Sequence, residues 1–507
     1  MKTRKLFALL LCVVMLVTAL SGCAKIKEGE DALTQLIASV FFKDKVSGGN
    51  STNTGKDKDD KDKNKLKGIP TKLSAEKIGS FAHDDFYLDV CDGGIIYSKN
   101  DNDNKKYGFV SFDGKFNSGA TYDYVKSCGD YFTVMPNAST SKDDATSYNR
   151  AGLYDAQGNA LLEAKYFNFK SLNEQYIQVY EATDFTTDKD SALMYITDSF
   201  ISFEPDEEDL LFVGKWSIYD VKNKRFVEGA TGTKAYSVSC YGQFISYYDD
   251  NDNRVEIDAD GKALPEDATI FENGTYRVDG EKDATVYDNN YKKLFSYSLD
   301  DYESISYDST GDCYTTYKYN GTDDGTYSVM DYDGKVVSKD FKDSVNVTGD
   351  IIYSNEKLYD FDGNSLFDKS VKYVNIDQFG QVYRITDNDE NEYLIDATGA
   401  ILCTQTKNDE SISMSFLPYK HTDDKYMYFS YKDKDFTIDG TSSVAECAVQ
   451  TSSDDNGNKK LIDAFSGNVL LEGYTSYEDN NETTEGIIVA AKQADSDNWD
   501  VYRITAE

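Results

Sequence analysis

The sequence has little of what most enzyme sites are made from. Its 507 residues include only two histidines, His83 and His421, far apart and with no cysteine or histidine cluster nearby. A zinc centre needs several such ligands at short spacing, and a Ser-His-Asp triad needs a positioned imidazole, so neither chemistry fits this chain. Positive charge is also short. Lys and Arg number 53 against 90 Asp and Glu, and the formal charge is −37. That field repels nucleic acid and anionic lipid headgroups, so neither is expected as a direct ligand of the folded part. Six cysteines follow residue 23, namely Cys91, Cys128, Cys240, Cys313, Cys403 and Cys447. They are too scattered to form a disulfide framework, and they read as buried free thiols packed like small hydrophobes. Proline is scarce at five, while 40 tyrosines and 27 phenylalanines give a β-type composition.

One pattern recurs. In Thr326 to Val337 an alternating run ends in Asp331, two residues follow, then Gly334, then a second apolar run. Asp opening a type I turn bonds its carboxylate to the backbone just ahead, and Gly at the fourth position takes the left-handed conformation that a hairpin loop requires. Variants begin at Ser111, Asp155, Asp220, Asp258, Asp288, Asp360 and Asp396, and a longer one runs from Asp463 to Gly467. Ahead of each turn stands a strand, a polar turn often containing Gly, and an aromatic-rich strand, as in Val125 to Val134 and Val345 to Tyr353. Each unit thus holds four short strands, for which about 30 to 45 residues suffice. Two intervals are longer and are read as insertions, within 181–214 and within 405–458, where Phe436 to Gly440 resembles a decayed extra turn.

Repeated four-stranded antiparallel units imply an all-β chain in which residues 70–507 form a β-propeller of about eight to ten blades. Trp499 to Ile504 matches a third strand, with no Asp-turn or fourth strand after it. The segment from Leu73 to Phe81 stands where other units have their fourth strand, so it is expected to complete the last blade.

The first five residues, with Lys2, Arg4 and Lys5, precede an apolar run from Leu6 to Leu20, which is the layout of a signal peptide. Leu20-Ser-Gly-Cys23 resembles the lipobox of bacterial lipoproteins. That resemblance implies removal of residues 1–22 and a diacylglycerol on Cys23, and acyl chains of this kind hold a protein on a membrane while its body stays clear. Residues 23–69 then serve as the lipidated N-terminus and a linker, with a short helix expected over Glu28 to Phe42 and disorder over 45–68. The repeat units also resemble WG-repeat lipoproteins, Tyr107 to Lys115 most nearly, with Trp216 keeping a tryptophan in one copy. This likeness implies a surface β-repeat module.

A sialidase-like site needs converging arginines, and Arg150, Arg225, Arg254, Arg277, Arg384 and Arg503 occupy unrelated positions in their units. Carboxylate pairs for a glycoside hydrolase or lyase are abundant, and only geometry selects one. Asp249 to Asn253 and Asp387 to Asn391 are dense in oxygen ligands but lack the Gly and Glu of an EF-hand loop, which leaves a weak structural Ca²⁺ as the one metal they suit. No other cofactor is expected. The reading is a non-enzymatic binding or scaffold module, lipid-anchored on the extracellular side of the cell membrane. Its expected partners are protein or polysaccharide, and its site is expected on the face carrying the two insertions. Two alternatives stand beside it: a polysaccharide-processing enzyme with its site over the central channel, and a solute-binding lipoprotein.

Overall fold

The computed structural model describes residues 72–83, 87–101, 104–137, 144–186, 211–233, 238–302, 304–319, 325–376, 382–405, 419–422, 425–428, 436–440, 442–445, 447–483 and 485–506. All lie in the second of two compact units, residues 54–507. The leader, Cys23, the helix expected over 28–42 and the linker over 45–68 fall outside the described residues.

Strands dominate, as the composition implied, and the described residues contain no α-helix, only one 3-10 turn at Ala145–Tyr148. Strands that follow one another in sequence pair antiparallel into ten sheets. Five hold four strands each, spanning residues 124–166, 168–232, 268–298, 304–341 and 371–405. Three more, at 87–110, 239–257 and 345–359, hold three strands and gain a fourth position through single bridges, Val110 to Asn117, Ile257 to Ala263 and Tyr359 to Ser365. A seven-stranded sheet divides within the long strand Val469–Thr483. The front of that strand pairs with Lys459–Asp463, and from Tyr474 onward it pairs with Gly486–Gln493. These make ten modules in chain order, numbered 1 to 10 here, with modules 9 and 10 sharing one strand. The tenth sheet, Tyr419–Thr422, Lys425–Tyr428 and Phe436–Asp439, is an inserted piece between modules 8 and 9. Of Phe436 to Gly440, expected as a decayed extra turn, Phe436–Asp439 is a strand.

The Asp-turn joins third to fourth strand as its chemistry predicted. Gly334 donates its N–H to the Asp331 carbonyl at 2.9 Å, with φ of 79° at the glycine, and the Asp331 carboxylate accepts from Lys335 N at 2.8 Å. Asp155, Asp258, Asp288, Asp360 and Asp396 repeat both bonds. Flanking strands depart from strict alternation. Tyr131–Met135 buries four of five residues and Gly486–Gln493 buries five in succession, because these middle strands are covered on both faces.

What covers them is the neighbouring module. Modules 1 and 2 share a core of Ile96, Phe109, Val125, Phe132 and Val134, and modules 3 and 4 share Trp216, Ile218, Ile245 and Tyr247. Modules 5 and 6 meet at Ala284, Val286, Ile305 and Tyr314, and modules 7 and 8 at Ile351, Leu358, Tyr383 and Ile385. Val382 and Leu394 of module 8 pack with Val444, Val449 and Leu461 of module 9, so the inserted sheet does not separate those two. Finally, Ile488, Ala490 and Val501 of module 10 share a core with Leu88, Ile95 and Val110 of module 1. The last sheet thus stacks on the first.

Leu73–Ala82, the closing strand, pairs antiparallel with Asn498–Ala506, from Leu73 opposite Ala506 to Ala82 opposite Asn498. The fourth strand expected from the N-terminal side is therefore in place. Module 1 then packs its Asp-turn region on this strand as other modules do on their predecessors. Gly114 abuts the Ser80 carbonyl, just as Gly261 abuts Glu228 and Gly399 abuts Leu366. At Gly79 a Cβ would stand 2.1 Å from the Phe112 carbonyl oxygen. Gly79→Ala should cost about 1–3 kcal/mol by forcing these backbones apart. Urea unfolding checks this, and a loss below about 0.5 kcal/mol would contradict the close approach.

Candidate functional site

The loops expected to carry a site lie mostly outside the described residues. Of the 181–214 interval, the described residues are the ends of one strand pair, Tyr176–Thr186 with Leu211–Asp220, and residues 187–210 lie outside them. Residues 406–418 and 429–435 lie outside them too.

The candidate side chains do not converge. Arg150 donates to the Asn137 carbonyl, Arg225 pairs with Asp260, Arg254 with Glu256, Arg277 with Asp279, Arg384 with Glu392, and Arg503 with Glu485 and Glu76. Each guanidinium has a partner of its own, and no arginine cluster forms among the described residues. The two oxygen-rich stretches turn out to be further Asp-turns. Asp249 accepts from Asn251 N at 2.9 Å and Asn253 N at 2.8 Å, and Asp387 accepts from Asp389 N at 2.9 Å and Asn391 N at 2.8 Å. Asp252 and Glu390 stand at φ of 65° and 63° where glycine stands elsewhere. Those carboxylates are occupied by their own turn amides, and no group of three or more metal-ligating side chains forms among the described residues. The sequence signal was real, but it marked turn geometry.

Cys91, Cys128, Cys313 and Cys447 are buried free thiols and Cys240 is partly buried, while the Cys403 side chain lies outside the described residues. Burial pushes the Cys128 and Cys313 thiols up to about 12. Thiolate is the reactive form, so native protein at pH 8 should leave Cys91, Cys128, Cys313 and Cys447 unalkylated by iodoacetamide, with full modification in guanidinium. Site-resolved mass spectrometry checks this.

The richest polar cluster lies at the seam between the closing strand and module 10. Asp500, 4 % exposed, accepts from the Lys77 ammonium at 2.8 Å, Ser80 Oγ at 3.0 Å, Gln493 Nε2 at 3.0 Å and Tyr474 OH at 3.0 Å. Burial by itself raises this carboxyl, but bonds from Lys77, Gln493, Ser80 and Tyr474 together hold it below the ordinary range. Asp463, in the Asp-turn of module 9, accepts from Leu73 N at 2.9 Å and secures the other end of the strand. Sequence reasoning missed both roles, although an acid set between the apolar Trp499 and Val501 was a usable signal.

A cleft of about 320 Å³ opens beside the same seam, lined by Ala82, His83, Tyr97, Lys99, Asn117, Gly119 and Ala120. The buried His83 ring lies 4.5 Å from the Tyr97 ring, and Tyr97 OH donates to Asn117 Oδ1. Burial pushes the Tyr97 phenol up to about 12, so it stays protonated. The cleft brings two aromatic rings together with the polar side chains of Lys99 and Asn117. A third feature lies on the first strands, each paired on one side only. They carry polar residues of mixed charge, among them Asp89, Lys126, Thr269, Ser306 and Asn346. Burial first, then Asp479 and Asp89, push the Glu478 carboxyl up, and Asn480 Nδ2 donates to Val90 O at 2.9 Å where modules 10 and 1 meet.

Comparison with known proteins adds little. No family model matches the chain, and no curated protein matches it. Solved structures similar to it include a eukaryotic initiation factor, at 9% identity and a TM-score of 0.31 over 71% of this chain and 92% of that one. BamB from Moraxella catarrhalis shows 9% identity and a TM-score of 0.20 over 85% and 99%, and the computationally designed Ika8 protein 11% and 0.22 over 75% and 94%. At such scores the architecture has to be argued from the chain's own strands.

Asp500 supplies a pH test. A depressed carboxyl contributes stability above its unfolded value, near pH 4, and that contribution disappears as pH falls through the folded value. Asp500→Asn should cost about 1–3 kcal/mol at pH 7 and flatten the loss of stability between pH 5 and acid. Urea unfolding across that range measures it, and an unchanged acid limb would refute the assignment.

Proposed function

We propose that the ten modules close into a single β-propeller ring, lipid-anchored through Cys23 on the outer face of the cell membrane, and that the ring serves as a binding or scaffold module for protein or polysaccharide. The observation that carries the ring is the stacking of module 10 on module 1, through the core of Ile488, Ala490, Val501, Leu88, Ile95 and Val110. The same type of contact joins the other neighbours, and a row of sheets that each cover the next ends in no bare face only if the two ends meet. Ten blades fall at the upper end of the expected range and above the usual four to eight, and each added blade widens the space enclosed by the first strands.

A binding role is favoured because the described polar clusters are consumed in holding the fold. Asp500 fastens the closing strand, the Asp-turn carboxylates cap their own amides, and the arginines have partners of their own. The lipobox at Leu20 to Cys23 supports the anchor, and the acidic surface suits basic protein partners better than nucleic acid or phospholipid.

The test uses the Cys23→Ala chain, which should appear in the medium while the parent stays with membranes. The released protein is then offered to detergent-solubilised surface proteins and to a glycan array. Saturable retention of one protein or glycan class supports the reading. Membrane retention of Cys23→Ala would overturn the anchor, and turnover of a bound glycan would overturn the non-enzymatic role in favour of a polysaccharide-processing enzyme.

A further inference from the structure

We propose that Leu73–Ala82 is a releasable clasp: it leaves Asn498–Ala506 in an opening of its own while the remaining modules stay folded, and the seam between modules 10 and 1 is where the ring parts. The parting of a ring rests on the closed-ring reading above, whereas the separate release of the strand rests on its own contacts.

The strand is held differently from every other fourth strand. Elsewhere a short turn ties the fourth strand to the third, so the two cannot drift apart, as where the Asp331 turn joins Thr326–Met330 to Val336–Phe341. The closing strand reaches its partner only through the rest of the chain, with Ser80 and Asp500 separated by 420 positions. Once the pair opens, the local concentration that favours re-pairing is far lower than across a four-residue turn.

Its apolar anchorage is also slight. Among its ten residues only Leu73 and Phe81 are buried, near the two ends, whereas Gly486–Gln493 buries five of eight in one run. The ladder is interrupted as well, since the register shifts between Lys77 and Gly79 and leaves two short zippers. It is an edge strand, paired on one side only. Ala75 and Ile78 add partly buried apolar contact, and polar bonds do the remaining work: Asp463 to Leu73 N, Asp500 to Lys77 and Ser80, Glu76 to Arg503, and an exposed contact between the Ser74 and Thr505 hydroxyls at 2.8 Å. Polar bonds of this kind re-form with water when the strand leaves, so they retain it without making release prohibitive.

The position of the strand gives its release a consequence. Leu73–Ala82 is the first strand among the described residues, so a pull on the chain from its N-terminal side acts on this zipper before the other described strands. Release uncovers the outer edge of Asn498–Ala506 and frees the module 1 backbone that Gly79 and Gly114 hold against it. A membrane tether under tension would in this way act on ring closure.

Amide hydrogen exchange on the full-length protein at pH 7 tests the clasp. Amides of 73–82 should exchange at least tenfold faster than those of 486–493, with a weak dependence on sub-denaturing urea. The double variant Ser74→Cys, Thr505→Cys places two thiols where the hydroxyls now touch. When oxidised it should bring the exchange of 73–82 into step with 486–493, and reduction should restore the difference. Asp500→Asn should raise the exchange of 73–82 about tenfold further without changing that of the module 5 strand Asp283–Tyr287. Synchronous exchange of 73–82 and 486–493 in the parent protein, or no effect of the staple, would overturn the proposal. Electron microscopy separates the two readings: an open arc would sink the ring and leave the exchange result standing, whereas a closed ring with synchronous exchange would sink the clasp alone.

Discussion

Face-to-face burial between consecutive sheets is the constraint on which everything else in this body depends. No single sheet has a core of its own. Phe132 and Tyr314 are wholly buried because a neighbouring sheet lies against them, and each apolar cluster draws on at least two modules. A sheet with two apolar faces is stable only inside such a stack, and the stack is stable only if its two outermost faces are also covered. The packing of Trp499 and Val501 with Leu88 and Ile95 supplies that cover. The pairing of Leu73–Ala82 with Asn498–Ala506 follows from the same requirement, since it completes the sheet that makes the contact.

Local chemistry made the turns legible, and stacking made part of the rest illegible. Asp at the first position and Gly at the fourth act over five residues, so the hairpins at Asp155, Asp331 and Asp396 could be read directly. The closing strand could be placed because a third strand without a successor at one end matched an unused strand at the other. What failed was anything that depended on the neighbouring sheet. The Thr326–Met330 run was read as alternating, yet its last three residues are all buried, since module 7 covers the face that a lone hairpin would leave wet. The inserted sheet at 419–439 is short and lacks the Asp-turn, so nothing in the spacing separated it from a loop. Asp249 and Asp387 looked like cation ligands because the side chain that caps a backbone amide is the same one that binds a hard metal.

Acidity of this degree is compatible with a folded body because of where the carboxylates sit. The turn aspartates meet the dipoles of two or three backbone amides, and the deeper ones such as Asp387 and Asp500 meet several donors each. Cationic side chains contribute few shared partners. The fold therefore uses its own peptide groups as the main counterweight to negative charge, which leaves the arginines and lysines to pairing on the surface.

The closing pair also fixes an order of events in biosynthesis. The residues around Leu73 are made long before their partners around Ile504, and Ser74 and Thr505 stand 431 positions apart. Neighbouring hairpins can assemble as soon as they emerge, because their contacts are short in sequence, but the contacts of Leu73–Ala82 and of module 1 with module 10 wait until that last sheet has emerged. Until then the first and last modules each present an uncovered greasy face, and a chain stalled before Asn498–Ala506 would remain adhesive however well its middle had folded.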